Sequence, residues 1–146
     1  MSIRVASACK MADFSYTSAN TAGTTAGTAQ YGFGVYGSLW LYAELTGATG
    51  GTLDVYLQTS PDGGTTWVDY AHWPQVAGGA SVILRSWAVS RGAEQKTLTT
   101  VGKSTSPALA ANTIVGGAWG DGLRIVSVAG AGTSAGAAQV IKLFCS

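Results

Sequence analysis

The sequence predicts an all-β protein: an antiparallel β-sandwich with one long loop and an N-terminal arm. Short segments alternate apolar and polar residues with a period of two, as strands with one buried face do. Glycine-rich turns punctuate these segments, with 21 glycines in 146 residues. Nowhere does the 3.6-residue period of an amphipathic helix persist. About seven to nine short strands separated by such turns suit a sandwich, with jelly-roll connections among the arrangements open to it. The length suits one domain with a proper core.

Residues 1–37 hold a weak strand at 14–17 and then a Ser/Thr/Ala/Gly tract at 18–29, SANTAGTTAGTA. Such a tract buries too little apolar area to order itself, so it is expected to be a loop or arm unless a partner holds it. Residues 38–146 are expected to form the sandwich. At 38–46, Leu39, Leu41, Ala43 and Leu45 alternate with Trp40, Tyr42 and Glu44, giving one aliphatic and one partly aromatic face.

The stretch 52–73, TLDVYLQTSPDGGTTWVDYAHW, reads as a β-hairpin with flanks at 53–59 and 66–73. Leu53, Val55 and Leu57 alternate with Asp54, Tyr56 and Gln58, and Trp67, Asp69 and Ala71 alternate with Val68, Tyr70 and His72. Between the two halves, Pro61 presets φ, Asp62 bonds nearby backbone, and Gly63 and Gly64 accept positive φ. Further strands are expected at 80–88, 113–119, 122–129 and 138–145. Residues 89–112 break the rhythm. They include a short strand candidate at 96–101 and otherwise form a long excursion that either carries contacts or is simply solvated.

Composition narrows the function. Only 10% of residues are charged, against about 25% in an average protein. A monomer with so few charges would have a bare surface, so a homo-oligomer is expected. The net charge of +1 rests on 8 scattered Lys and Arg residues, so there is no case for nucleic acid. No stretch approaches the roughly 18 apolar residues of a membrane span, so no membrane partner is expected. The opening residues lack a signal-peptide run, which leads to the expectation of a chain that starts near Met1 and is made in a cytosol. Cys9 and Cys145 sit near opposite ends and read as free thiols; they could pair only if the termini meet.

No catalytic, cofactor-binding or metal-ligating residues are assigned, and the protein is not expected to be an enzyme. The single histidine, His72, reads as a half-exposed strand residue without an acid/base partner nearby in sequence. Zinc spacing and EF-hand loops are absent from the sequence. Asp121, between two glycines, is a turn residue before it is a calcium ligand. The glycine-rich stretches GATGG and GAGTSAG lack the Lys of a phosphate loop.

Ser60, Asp62, Gly64, Thr66 and Trp67 spell S-x-D-x-G-x-T-W, which resembles the Asp-box of sialidase-like propellers. That resemblance implies a structural turn in which the Asp holds the backbone and the aromatic packs below it. From Ser38 onward the chain is similar to small virion structural proteins of tailed bacteriophages, in which a strand, a hairpin of this type and an L-R-V strand recur in order. The matching residues are 58–67, QTSPDGGTTW, and 123–126, LRIV. The resemblance implies a capsid decoration or cement protein on the virion surface, made in the host cytoplasm, whose partner is the major capsid protein. By analogy it implies a trimer. The attachment regions are then expected in the N-terminal tract and at 89–112, and removing residues 1–29 should leave a folded sandwich. The alternatives are a carbohydrate-binding module stacking sugars on Trp40, Tyr42, Trp67 or Trp87, or another virion part such as a tail or neck protein.

Overall fold

The computed structural model describes residues 10–17, 23–45, 51–77, 83–90, 100–131 and 138–145. Among these residues all regular structure is strand: β1 (Lys10–Thr17), β2 (Gly23–Ala26), β3 (Ser38–Leu45), β4 (Thr52–Ser60), β5 (Val68–His72), β6 (Val76–Ala77), β7 (Ile83–Ser90), β8 (Thr113–Ile114), β9 (Gly122–Ala129) and β10 (Ala138–Cys145). The protein is all-β, and every strand pairing is antiparallel.

Two sheets result. One has the order β1-β10-β3-β7, the other β2-β9-β4-β5-β8, with β6 pairing β4 beyond the end of β5. Along the chain, β1, β3, β7 and β10 fall in the first sheet and β2, β4, β5 and β9 in the second. That alternation is the jelly-roll connectivity. Leu39 and Leu41 of β3 share one buried cluster with Leu53, Val55 and Leu57 of β4 and Leu123 and Ile125 of β9, so both sheets contribute to a single core. The alternation read from the sequence groups Leu39 with Leu41, and Leu53 with Val55 and Leu57, on the faces that are buried.

The hairpin forms as expected, with Thr59 opposite Val68. Strands β9 and β10 match the sequence expectation. The strand expected at 113–119 stops at Ile114, because Gly116 and Gly117 adopt φ of 77° and 68° and leave the β region. The candidate at 96–101 lies mostly outside the described residues, and Thr100 and Val101 are not in a strand.

The N-terminal arm needs correction. β1 pairs with β10 along its whole length, Lys10 to Cys145 through Thr17 to Ala138, and β2, from within the low-complexity tract, pairs with β9. Strands β1 and β2 are therefore members of the two sheets although both precede residue 38. Thr24 and Thr25 suit a strand, and the ladder offered by β9 orders a segment whose own side chains bury nothing. The pairing of Lys10 with Cys145 brings the two chain ends onto neighbouring strands, while Cys9 lies outside the described residues.

Candidate functional site

On β4 the inward set Leu53, Val55 and Leu57 leaves Asp54, Tyr56 and Gln58 facing away from the core. Tyr56 and Gln58 are nonetheless buried. The covering comes from the segment 100–114: its first part, the end of the long excursion, folds back over the outer face of the six-stranded sheet, and Thr113–Ile114 then join the edge of that sheet as β8. Leu109 packs there with Tyr56 and Val126 in a second, smaller apolar cluster.

A β-bulge organises this face. Gln58 is opposite Asp69 and Leu57 opposite Ala71, so Tyr70 is an extra residue on β5. The bulge places Asp69 and His72 on the same face, opposite Gln58 and Tyr56 respectively. Tyr70 turns into the main core and its hydroxyl donates to the Gly117 carbonyl at 3.0 Å.

Asp69 is the hub of the covering segment. Its Oδ2 accepts from the backbone N–H groups of Gly102 (2.8 Å), Ala108 (2.8 Å) and Leu109 (3.1 Å), and its Oδ1 accepts from Gln58 Nε2 at 2.9 Å. A buried carboxylate with several such donors is well compensated. Gln58 Nε2 also donates to the Ser104 carbonyl, and Gln58 Oε1 accepts from Arg124 Nε (3.0 Å) and Nη2 (2.9 Å). The Arg124 guanidinium lies 4.5 Å from the centre of the Trp67 ring. Backbone bonds from Ser104 to Trp67 and from Asp69 to Gly102 continue the anchoring along the edge of β5. Glycine is required at 102, where a Cβ would overlap the backbone of residues 106–108.

His72 forms the second anchor and is only 4% exposed, not the half-exposed strand residue expected. Its ring stacks on Tyr56 at 3.8 Å, Nδ1 lies 2.6 Å from the Leu109 carbonyl oxygen, and Nε2 lies 3.0 Å from Asp54 Oδ1. Gln75 donates to the other Asp54 oxygen at 2.7 Å. Burial pushes the Asp54 carboxyl up, but the hydrogen bonds from His72 and Gln75 and the charge of His72 outweigh it, holding the group below the ordinary carboxylate value. Burial, with the nearby Asp54 and Asp69 charges, pushes the Tyr56 phenol up to about 12. The partner of His72 is 18 positions away in sequence, which is why no sequence neighbour suggested it. Both ring nitrogens are committed to acceptors, so the pair works as a brace between β4, β5 and the covering segment.

The Asp-box turn has the construction its pattern implies. Asp62 Oδ1 accepts from the Thr66 N–H at 2.6 Å and the Ser60 hydroxyl at 3.0 Å, and Ser60 Oγ accepts from the Gly64 N–H at 2.7 Å. Gly64 has φ of 101°, which a side chain would strain. Trp67 Nε1 donates to the Gly64 carbonyl at 2.9 Å, tying the aromatic beneath the turn. The Thr66 and Ser60 bonds hold the Asp62 carboxyl below its usual value.

Trp67 and Trp40, two of the aromatic residues considered for a sugar platform, lie on different sheets. Trp67 is 6% exposed, whereas Trp40 is 47% exposed on the opposite sheet. Trp87 is the register partner of Leu41 and Trp40 that of Ala88, so the two tryptophans occupy consecutive rungs of one ladder. Asp121 holds a turn, accepting the Gly34 N–H at 3.2 Å, and among the described residues no group of three His, Cys, Asp or Glu side chains gathers to hold a metal.

The fold and this site define an all-β protein of jelly-roll connectivity whose most elaborate polar network fastens a covering segment to one sheet. No family model, curated protein or solved structure matches the chain.

Proposed function

We propose that this is a virion structural protein of a tailed bacteriophage, a capsid decoration or cement protein that binds the major capsid protein lattice as a homo-oligomer, a trimer by analogy. One observation carries the reading. The two segments that resemble phage virion proteins, 58–67 and 123–126, are hydrogen-bonded neighbours, with Gln58 opposite Arg124 and Thr59 opposite Leu123. The Arg124 side chain links them further by bonding Gln58 and lying over Trp67. The resemblance thus describes one spatial unit and not two scattered strings. The charge-poor composition supports it, because a lattice component has much of its surface covered by neighbours. Jelly-roll connectivity is compatible but assigns no function, since lectins and other proteins share it.

Co-sedimentation with preassembled capsids of the encoding phage tests the assignment. Saturable binding to shells supports it, and binding confined to tails or necks moves the protein to another virion part. Saturable glycan binding without shell binding favours the carbohydrate-binding alternative.

A further inference from the structure

We infer that Asp62 is the site of spontaneous isoaspartate formation in this protein, at a rate set by the two hydrogen bonds that its carboxylate accepts within the turn.

Isoaspartate forms when the main-chain nitrogen of the following residue attacks the aspartate Cγ. The N–H proton and the carboxyl hydroxyl leave as water, closing a five-membered succinimide. Water then opens the ring at either carbonyl, which restores aspartate or leaves the main chain running through the side chain. No oxidant or cofactor enters. A following glycine favours the attack, because it has no side chain to crowd the nitrogen and its backbone reaches conformations closed to other residues. The chain contains two Asp-Gly junctions, 62–63 and 121–122.

Their surroundings differ. Gly122 is buried at the start of β9, in register with Ser60. Its Cα lies against the rings of Tyr31 and Trp67, which a Cβ there would meet at 2.9 and 3.1 Å. The Asp121 carbonyl accepts from the Phe33 N–H at 3.1 Å, and its Oδ1 accepts from the Gly34 N–H at 3.2 Å. Ring closure would have to turn a peptide pinned on both sides. Asp62 and Gly63, by contrast, are both exposed and outside any strand. A Cβ on Gly63 would meet nothing within 4 Å, so there is room for the ring and for the water that opens it. Among the described residues the Gly63 N–H donates to no group.

The turn itself restrains Asp62. Its Oδ1 accepts from the Thr66 N–H at 2.6 Å and from the Ser60 hydroxyl at 3.0 Å. Both bonds favour the charged carboxylate, a poor electrophile, over the neutral acid whose hydroxyl can leave, and they hold the carboxyl in one orientation. They also keep it below its ordinary value, so the neutral acid is scarce at neutral pH. Isoaspartate adds a methylene to the main chain and takes one from the side chain, so the carboxylate loses its place on Thr66 and Ser60. The turn above Trp67, whose Nε1 donates to the Gly64 carbonyl, then loosens. This chemistry does not depend on the virion assignment.

The test incubates the intact protein at neutral pH and body temperature, folded in buffer and unfolded in urea, and maps isoaspartate by peptide mass spectrometry with isoaspartyl methyltransferase labelling. In urea both junctions should convert, which calibrates the reaction. In the folded chain isoaspartate should form at Asp62 and not at Asp121, and more slowly than in urea. Ser60→Ala removes one of the two donors and should raise the folded-state rate at Asp62 about fivefold, the scale of one exposed hydrogen bond, with Asp121 unchanged. Circular dichroism establishes that the variant is folded, and the comparison of the two junctions in the unsubstituted chain decides the matter if it is not. Conversion at Asp121 equal to that at Asp62, no conversion at Asp62 once the unfolded chain has fully reacted, or an unchanged rate in folded Ser60→Ala would overturn the inference.

Discussion

Asp69 and His72 project to the same side of β5 although three positions separate them, because the bulge at Tyr70 inserts one residue between their partners Gln58 and Tyr56. Strict alternation would have sent them to opposite faces. One would then have entered the apolar core and the covering segment would have lost one of its two anchors. Placed together, they fasten residues 100–114 at Gly102, Ala108 and Leu109.

The first prediction follows from Asp69. Replacing it by Ala leaves three backbone N–H groups without an acceptor and the Gln58 amide with the Ser104 carbonyl alone, and should cost about 3 kcal/mol of stability. Chemical denaturation checks the value. Asp69→Asn should cost less than Asp69→Ala, since its amide oxygen keeps part of the acceptor set.

Gly102→Ala should destabilise by about 1–3 kcal/mol, because the added methyl meets the backbone of residues 106–108, which the Asp69 bonds hold in place. Leu109→Ala should cost about 2–3 kcal/mol by emptying the small cluster with Tyr56 and Val126. Both values are read from denaturation midpoints, with local exchange showing the loss concentrated in 100–114.

Asp62→Ala should lower the melting temperature and remove one source of acid sensitivity. The Asp62 carboxyl is held below its ordinary value by the Thr66 and Ser60 bonds, so its contribution is present above that ordinary value and is lost as pH falls through the depressed one. Thermal unfolding from pH 7 downward should therefore show a shallower acid loss in the variant; parallel curves would contradict this.

Trp67 and Trp40 should respond oppositely to truncation. Trp67→Ala removes a buried ring beneath the Asp-box turn and the surface over which Arg124 lies, costing about 3–5 kcal/mol. Trp40→Ala acts on a half-exposed position and should cost much less in the isolated chain. If Trp40 contributes to oligomer or shell contacts, sedimentation of that variant should reveal the change.

Removing residues 1–29 should abolish native folding, not merely shell attachment. The deletion takes away β1 from one sheet and β2 from the other, exposing the edges of β10 and β9. Circular dichroism and exchange protection of β9 decide between this outcome and a folded remnant.

The strand class, the central hairpin, the turn at 60–67 and the inward set Leu39, Leu41, Leu53, Val55 and Leu57 were legible in the residues alone. Each is a local matter of period-two burial or of residues that a tight turn demands. Tertiary structure alone decided the rest. The tract at 18–29 has no burial of its own to announce a strand, so β2 exists because β9 offers it a ladder. The bulge at Tyr70 depends on how β5 meets β4, and a shift of one residue reversed the face on which Asp69 or His72 would be read. The pairing of His72 with Asp54 and Leu109 joins positions 18 and 37 residues apart, a distance at which no spacing rule operates and only the folded sheet brings donor to acceptor.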